Sequence, residues 1–386
     1  MMGSSIQLIS FSLINVSKMR VAFDHQIFVM QPYGGISRYI AKIAQSLLDM
    51  DQQVGIFAPL HINNYLSSLS EEIVYGKHVH RFPPKTARLF LTYNQFLARS
   101  KIVKWKPDVV HETYFTRFGS APKFCPTVIT VYDMIHELFS EEMPVTDSTS
   151  ALKRIAVDRA DAVICISENT KQDLIRLYGT PASKISVVHL GFDQFSSQES
   201  LSLVSDFSES PFLLYVGQRA GYKNFIGLLK AVAASEKLMA DFKVIAFGGR
   251  RFSSSEKKLI HSLGFAENQV RHQGGDDNVL GQLYDSAKAF VYPSIYEGFG
   301  IPPLEAMAHR CPVISSNTSS MPEVIGTAAE YFNPLDIDDM KYAIEKVVYS
   351  ESCIEILKVL GERRLMSFSW DKCTQETLGV YRSLAV

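Results

Sequence analysis

The sequence predicts an α/β protein made of two parallel, doubly wound domains. Three observations lead there. Through the first half, short apolar runs bounded by Gly, Pro and Asp alternate with helical patterns, as strand–helix–strand units do. Between about 194 and 210 the chain becomes rich in Ser, Gln, Asp and Glu, which reads as a linker. Beyond it the same alternation begins again.

The expected division is an extension at 1–18, a first domain at 19–195, a linker at 196–210, a second domain at 211–365 and a final helical stretch at 366–386. A chain of 386 residues with 46% hydrophobic and 20% charged content has ample core for two such units. Its net charge of −1 gives nucleic acid no global pull. Five cysteines without a Cys-x-x-Cys pair suggest neither a zinc site nor a disulfide framework and suit a reducing cytosol. The apolar opening Ile6–Val16 lacks the basic flank and small-residue cleavage site of a signal peptide, and no apolar run approaches membrane-spanning length.

In order, Arg20–Asp24 reads as a first strand. The turn Gly34-Gly35 follows, and then a helical pattern at Ile40, Ile43, Ala44 and Leu47. Val54–Ala58, Asp108–His111, Thr127–Tyr132, Ala162–Ser167 and Ser186–Gly191 continue the first sheet. Phe212–Gly217, Lys243–Phe247, Ala289–Tyr292 and Pro312–Ser315 form the second. Ligands of such sheets bind outside the carboxyl ends of the strands, and the residues with chemical promise fall there.

The chain is organised around Tyr292–Ala308. A buried strand ends at Tyr292, and Pro293, Gly298, Gly300, Pro302 and Pro303 break regular structure. A helix then begins at Pro303, which puts Glu305 in its first turn. Strand, Gly-rich loop and helix N-terminus make an anion site. Glu305 can accept both hydrogen bonds of a ribose diol, and Glu297 can reach sugar hydroxyls beyond the phosphates. Taken singly, each is equally a helix-end charge or a solvated loop residue. After the first strand of the second domain, Arg219 and Lys223 stand four apart on a loop, a pair suited to a diphosphate.

Glu297 and Glu305, eight positions apart around Gly-Phe-Gly, resemble the Glu-x7-Glu motif of retaining glycosyltransferases of the "glycosyl transferases group 1" family, from about Met19 to the C-terminus. The resemblance implies the GT-B fold: two Rossmann-like domains facing a central cleft, with the C-terminal helix crossing back to the first. It implies donor binding by Gly35, Arg219, Lys223, Glu297, Gly298, Phe299, Gly300, Ile301 and Glu305. Arg219 and Lys223 would clamp the diphosphate, so that no metal or other cofactor is needed. His136, in Asp133-x-x-His136, resembles the cleft histidine that contacts the transferred sugar. Asp24, His25 and Asp133 are acceptor-side candidates.

Retention is implied as well. No carboxylate declares itself as a nucleophile, which leaves front-side attack with Arg219 and Lys223 stabilising the departing phosphate. The stretches Phe23–Phe28, Gly34–Arg38, Tyr132–Glu137 and Tyr222–Phe225 resemble bacterial mannosyltransferases that use GDP-mannose to extend O-antigen or other surface polysaccharides. A UDP-sugar donor, a sugar-nucleotide epimerase and a polysaccharide-binding scaffold are the alternatives. The expected acceptor is a lipid-linked oligosaccharide, and the expected place is the cytoplasm, peripheral to the inner face of the cytoplasmic membrane. Residues 77–123 carry ten basic residues against Asp108 and Glu112, with Phe82, Phe90, Tyr93, Phe96 and Trp105 interleaved and a helix expected from Thr86 to Lys104. Such a segment suits an anionic membrane surface, and equally a solvated face.

Overall fold

The computed structural model describes residues 18–195, 210–219 and 221–384, apart from the side chains of Ala87 and Arg88. The expected linker lies outside these residues except for Ser210, as does the expected extension except for Lys18.

In the first half, β1 (Arg20–Phe23), β2 (Gln53–Ile56), β5 (Val109–Glu112), β6 (Thr127–Val131), β7 (Ala162–Cys165) and β8 (Ile185–Val187) form one sheet in the order β2-β1-β5-β6-β7-β8. All pairings are parallel. A separate pair, β3 (Leu60–His61) and β4 (Lys77–His78), stands beside it. In the second half, β9 (Phe212–Val216), β10 (Lys243–Phe247), β11 (Val270–Gln273), β12 (Ala289–Tyr292), β13 (Val313–Ser316) and β14 (Ala329–Phe332) pair in the order β11-β10-β9-β12-β13-β14, again parallel throughout. Helices cover both faces of each sheet, so the inner strands are apolar on both sides. β6, β7 and β12 are buried along their whole length.

The strand orders reverse direction between β1 and β5 and between β9 and β12. At such switch points the connecting helices leave on opposite faces and open a crevice at the carboxyl ends. The second sheet shows this directly. Helix Phe225–Ala233, after β9, buries Leu228 and Leu229 in one core, while helix Ile301–Ala308, after β12, buries Leu304 and Ala306 in another.

The last helix, Trp370–Leu384, leaves the second half and packs against helix Gly35–Asp49 of the first. Tyr381 is buried there, its hydroxyl 2.6 Å from His111 Nδ1. Trp370 Nε1 donates to Asp193, and Ser46 to Asp371.

Candidate active site

The loop after β12 is held from both sides. Thr318 Oγ1 donates to Ile295 O at 2.8 Å, Ser319 Oγ accepts the Glu297 N–H at 2.9 Å, and Ser320 Oγ donates to the carbonyls of Glu297 and Phe299. These three hydroxyls follow β13, in Ser316-Asn317-Thr318-Ser319-Ser320, and the sequence reading missed them. A hydroxyl-rich turn after a buried strand was the available signal. From the first half, Ser167 Oγ and Thr170 Oγ1 both donate to Gly298 O, at 2.6 and 3.2 Å. A Cβ at Gly298 would lie 1.8 Å from Tyr132 O, so only glycine lets the two halves meet here. Gly300 adopts φ 105°, a left-handed conformation that glycine takes at little cost.

That loop places Glu297 against Lys223. The Lys223 Nζ lies 2.6 and 2.8 Å from the two Glu297 oxygens, and both side chains are largely buried. Arg219 is directed elsewhere. Its Nε bonds Glu256 at 2.6 Å, its other donors reach the carbonyls of Gly248 and Arg250, and its guanidinium lies 4.7 Å from the Phe252 ring. The two cations expected to clamp together therefore have different partners here. The Tyr222 ring packs on Phe139 of the first half, with centroids 5.4 Å apart. Burial raises its phenol to about 12, with the charges of Glu297, Asp133 and Glu142 adding to the effect.

Glu305 is in the second turn of its helix rather than the first, because the helix begins at Ile301 and takes both prolines into its opening turn. It is 6% exposed, and the Tyr284 hydroxyl lies 3.4 Å from Oε2. Burial pushes its carboxyl up to about 7, with Arg38 opposing and Asp277 and Asp193 reinforcing. Arg38 comes from helix Gly35–Asp49 of the first half and bonds Asp193 at 2.5 Å and Asp277 at 3.5 Å. It lay unremarked in the Gly34–Arg38 stretch. Because the folded pKa lies above the ordinary value of about 4.3, the protonated form of Glu305 favours the folded state. That stabilisation is complete below about pH 4 and is lost as pH rises through 7. Glu305→Gln should therefore flatten the fall in melting temperature between pH 5 and 8, and parallel curves for variant and parent would count against it.

At the start of helix Gly35–Asp49 nothing lies within 4 Å of a Cβ built at Gly35, whereas one at Gly34 would strike the end of the Gln31 side chain. Phe299 and Ile301 can offer a ligand only backbone or a partial edge, since the Phe299 ring is buried against His189 and Phe368.

The first-half candidates divide. Asp24 is buried, with Oδ1 accepting from Thr113 N and Oγ1 and Oδ2 accepting from Ser120 Oγ. His25 is buried too, and burial lowers its pKa against the opposing effects of Asp24 and the Leu91 backbone. Residues Thr113 and Ser120 thus hold Asp24 at the end of β1, whereas the buried His25 ring nitrogens have no hydrogen-bond partner among the described residues. Asp133 remains at the cleft. Its Oδ1 accepts from Ile135 N, and the Gly298 Cβ position lies 2.9 Å from its own Cβ. Its carbonyl accepts from Lys153, a buried cation that also pairs with Glu137 at 2.7 Å. His136 bonds Asp147 at 2.6 Å through Nδ1, which directs its ring toward that neighbour. Among the described residues, no three His, Cys, Asp or Glu side chains gather as a metal site would require.

Two facing α/β halves, with a loop of the second keyed into the first, define a protein of the GT-B fold. Residues 33–194 match the model for Glycosyltransferase Family 4, and residues 199–363 form a Glycosyl transferases group 1 domain. It is 32% identical to O-antigen chain mannosyltransferase B of Escherichia coli over 59% of this chain and 62% of the relative. To O-antigen chain mannosyltransferase RfbU of Salmonella typhimurium it is 27% identical, over 81% of this chain and 87% of the relative. The match spans under a third of the E. coli serotype-specific mannosyltransferases WbdA. Sucrose-phosphate synthase from Thermosynechococcus elongatus superposes with a TM-score of 0.74 at 17% identity, over 95% of this chain and 99% of that one. WaaG, a glycosyltransferase involved in lipopolysaccharide biosynthesis, superposes at 0.68 and 16%, over 93% and 99%. At such identities the likeness is one of fold.

Proposed function

We propose that the protein is a retaining, metal-independent mannosyltransferase that moves mannose from GDP-mannose to a lipid-linked surface polysaccharide such as O-antigen. The observation that carries this reading is the Lys223–Glu297 pair at the second-half switch point, closed against the first half by the Gly298 loop. In this reading the diphosphate draws Lys223 toward itself and frees Glu297 for the hydroxyls of the sugar. Glu305 accepts from the ribose diol, its ionised form favoured by Arg38. Arg219 turns from Glu256 to the outer phosphate. The departing phosphate oxygen accepts the proton of the acceptor hydroxyl on the face from which it leaves. Developing charge is met by Lys223, Arg219 and the first N–H groups of helices Ile301–Ala308 and Gly35–Asp49. The mannosyltransferase names of the relatives support the choice of sugar.

A thermal-shift panel of nucleotide sugars tests the donor. A donor held at 100 times its dissociation constant should add about 2.7 kcal/mol of stability, and GDP-mannose should give the largest shift. A UDP-sugar giving the largest shift would replace it. The two glutamates should separate in the same assay. Glu305→Ala is expected to weaken binding of bare GDP, whereas Glu297→Ala should spare GDP and abolish turnover. Equal loss of GDP affinity in both would reverse the roles.

The anionic membrane reading belongs to the helix Ala87–Trp105. Leu89, Tyr93, Phe96 and Val103 are all exposed and spaced four, three and seven residues apart, so they form one stripe along it, with Arg99 and Lys104 beside it. Phe82 and Phe90 stack on each other, and Trp105 packs on Phe57 beneath Arg20, so those three rings are used internally. No described helix is long and apolar enough to cross a membrane. Binding to vesicles should require anionic lipid and fade as salt rises. Indifference to lipid charge, or no effect of Phe96→Ser with Arg99→Glu, would exclude it.

A further inference from the structure

We propose that an open cavity of ≈ 490 Å³ in the first half binds the apolar chain of a prenyl-diphosphate-linked acceptor, so that its lipid end lies beside the transfer site. This rests on the transferase reading above and names the part of the acceptor that the first half holds. The cavity lies at the carboxyl ends of β1 and β5. Helix Gln26–Met30, the early turns of helix Ala87–Trp105, the segment Tyr114–Phe118 and the start of helix Thr149–Arg159 enclose it.

Much of its polar lining is already engaged. Gln95 Nε2 donates to the carbonyls of Phe118 and Gly119 while its Oε1 accepts from Gln26. Asp147 accepts from Thr149 and bonds His136, and Thr116 Oγ1 donates to Phe118 O. The hydrocarbon of Met30, Leu91, Tyr114, Phe115, Phe118 and Leu152 makes up the rest of the wall. A site that selects a saccharide presents polar groups that the sugar satisfies, whereas this lining suits an apolar chain. Met30 and Phe118, 52% and 68% exposed, carry the apolar surface out of the mouth.

The charge at the mouth matches a diphosphate. Arg117 lines the cavity with its guanidinium 5.9 Å from the Phe118 ring, and Arg99 donates to Gly119 O beside it. Among the described residues neither arginine is in a salt bridge, and Asp147, the one carboxylate of the lining, is spent on His136 and Thr149.

The cavity also adjoins the cleft. Asp147 of its lining bonds His136, and three residues before His136 stands Asp133, which packs against Gly298.

Calorimetric titration of the full chain with farnesyl diphosphate, in excess GDP to fill the donor site, tests the assignment. Binding is expected, with a loss of at least tenfold in Phe118→Ser and in Arg117→Glu and no change in GDP affinity. Both residues are on the surface, so the variants should fold. Absence of binding, parental affinity in both variants, equally tight binding of inorganic diphosphate, or displacement by a lipid-free mannose disaccharide would each overturn it. Failure of GDP-mannose to bind would instead refute the donor reading, and a farnesyl diphosphate titration without nucleotide would still report on this cavity.

Discussion

Lys223→Ala is expected to lower kcat/KM by about 10²–10³-fold, the cost of removing one charge-stabilising donor from a transition state. Lys223 has two tasks. It neutralises Glu297 through two contacts under 3 Å, and in the proposed reaction it faces the departing diphosphate. Its removal strips charge from the leaving group and leaves Glu297 without its cation, so a loss in kcat accompanies the loss in donor affinity. Arg219→Ala should also lower activity. That variant is expected to lose melting temperature as well, since Arg219 ties the loop after β9 to Glu256 and to the carbonyls of Gly248 and Arg250. Steady-state kinetics at limiting donor, beside thermal melts, separate the two. Parental kcat/KM in Lys223→Ala would remove this residue from the mechanism.

Gly298→Ala should be nearly as damaging, by a different route. The added Cβ would meet the Tyr132 carbonyl at 1.8 Å, and backbone cannot rotate away as a side chain can. The halves must then part at the point where Ser167 and Thr170 grip the Gly298 carbonyl. A displacement of about 1 Å between reacting groups costs on the order of 10² in rate. Bare GDP should still bind, because Lys223 and Glu305 belong to the second half. Small-angle scattering should show a more open particle for the variant. Parental turnover, or a loss of GDP affinity equal to the loss of rate, would show that the contact does not govern closure.

The sequence was most legible where burial was most complete. β6, β7, β9, β10 and β12 are near-continuous apolar runs, and each was found within a residue or two of its observed limits. β11 and β14 were missed, and they are the two edges of the second sheet. Val270-Arg271-His272-Gln273 and Ala329-Glu330-Tyr331-Phe332 are only partly buried, so the apolar signal is diluted by side chains that reach water. Glu297 and Lys223 could be nominated from loop chemistry and resemblance, but their pairing spans 74 residues and no local pattern encodes it. Asp24 and His25 follow a strand at a switch point, where ligand-facing residues often sit, but their burial depends on segments distant in sequence: Thr113 and Ser120 bond Asp24, and the Leu91 backbone lies beside His25. Glu305 was placed in the first turn because Pro303 was read as the first helical residue, when the helix begins at Ile301 and takes in both prolines.

The return of helix Trp370–Leu384 to the first half makes the second half, in topological terms, an insertion within the first. Polypeptide joins the halves twice, between Phe195 and Ser210 and through 366–369. At the edge of these passages Gly191 lies so close to Trp370 that a Cβ would be 2.4 Å from its backbone nitrogen. A body tethered by two adjacent strands has fewer ways to move than one on a single tether, since twisting and sliding are curtailed while bending about the line between the tethers stays easy. Any opening of the halves is thus expected to be jaw-like, with closure returning Gly298 to the Tyr132 carbonyl.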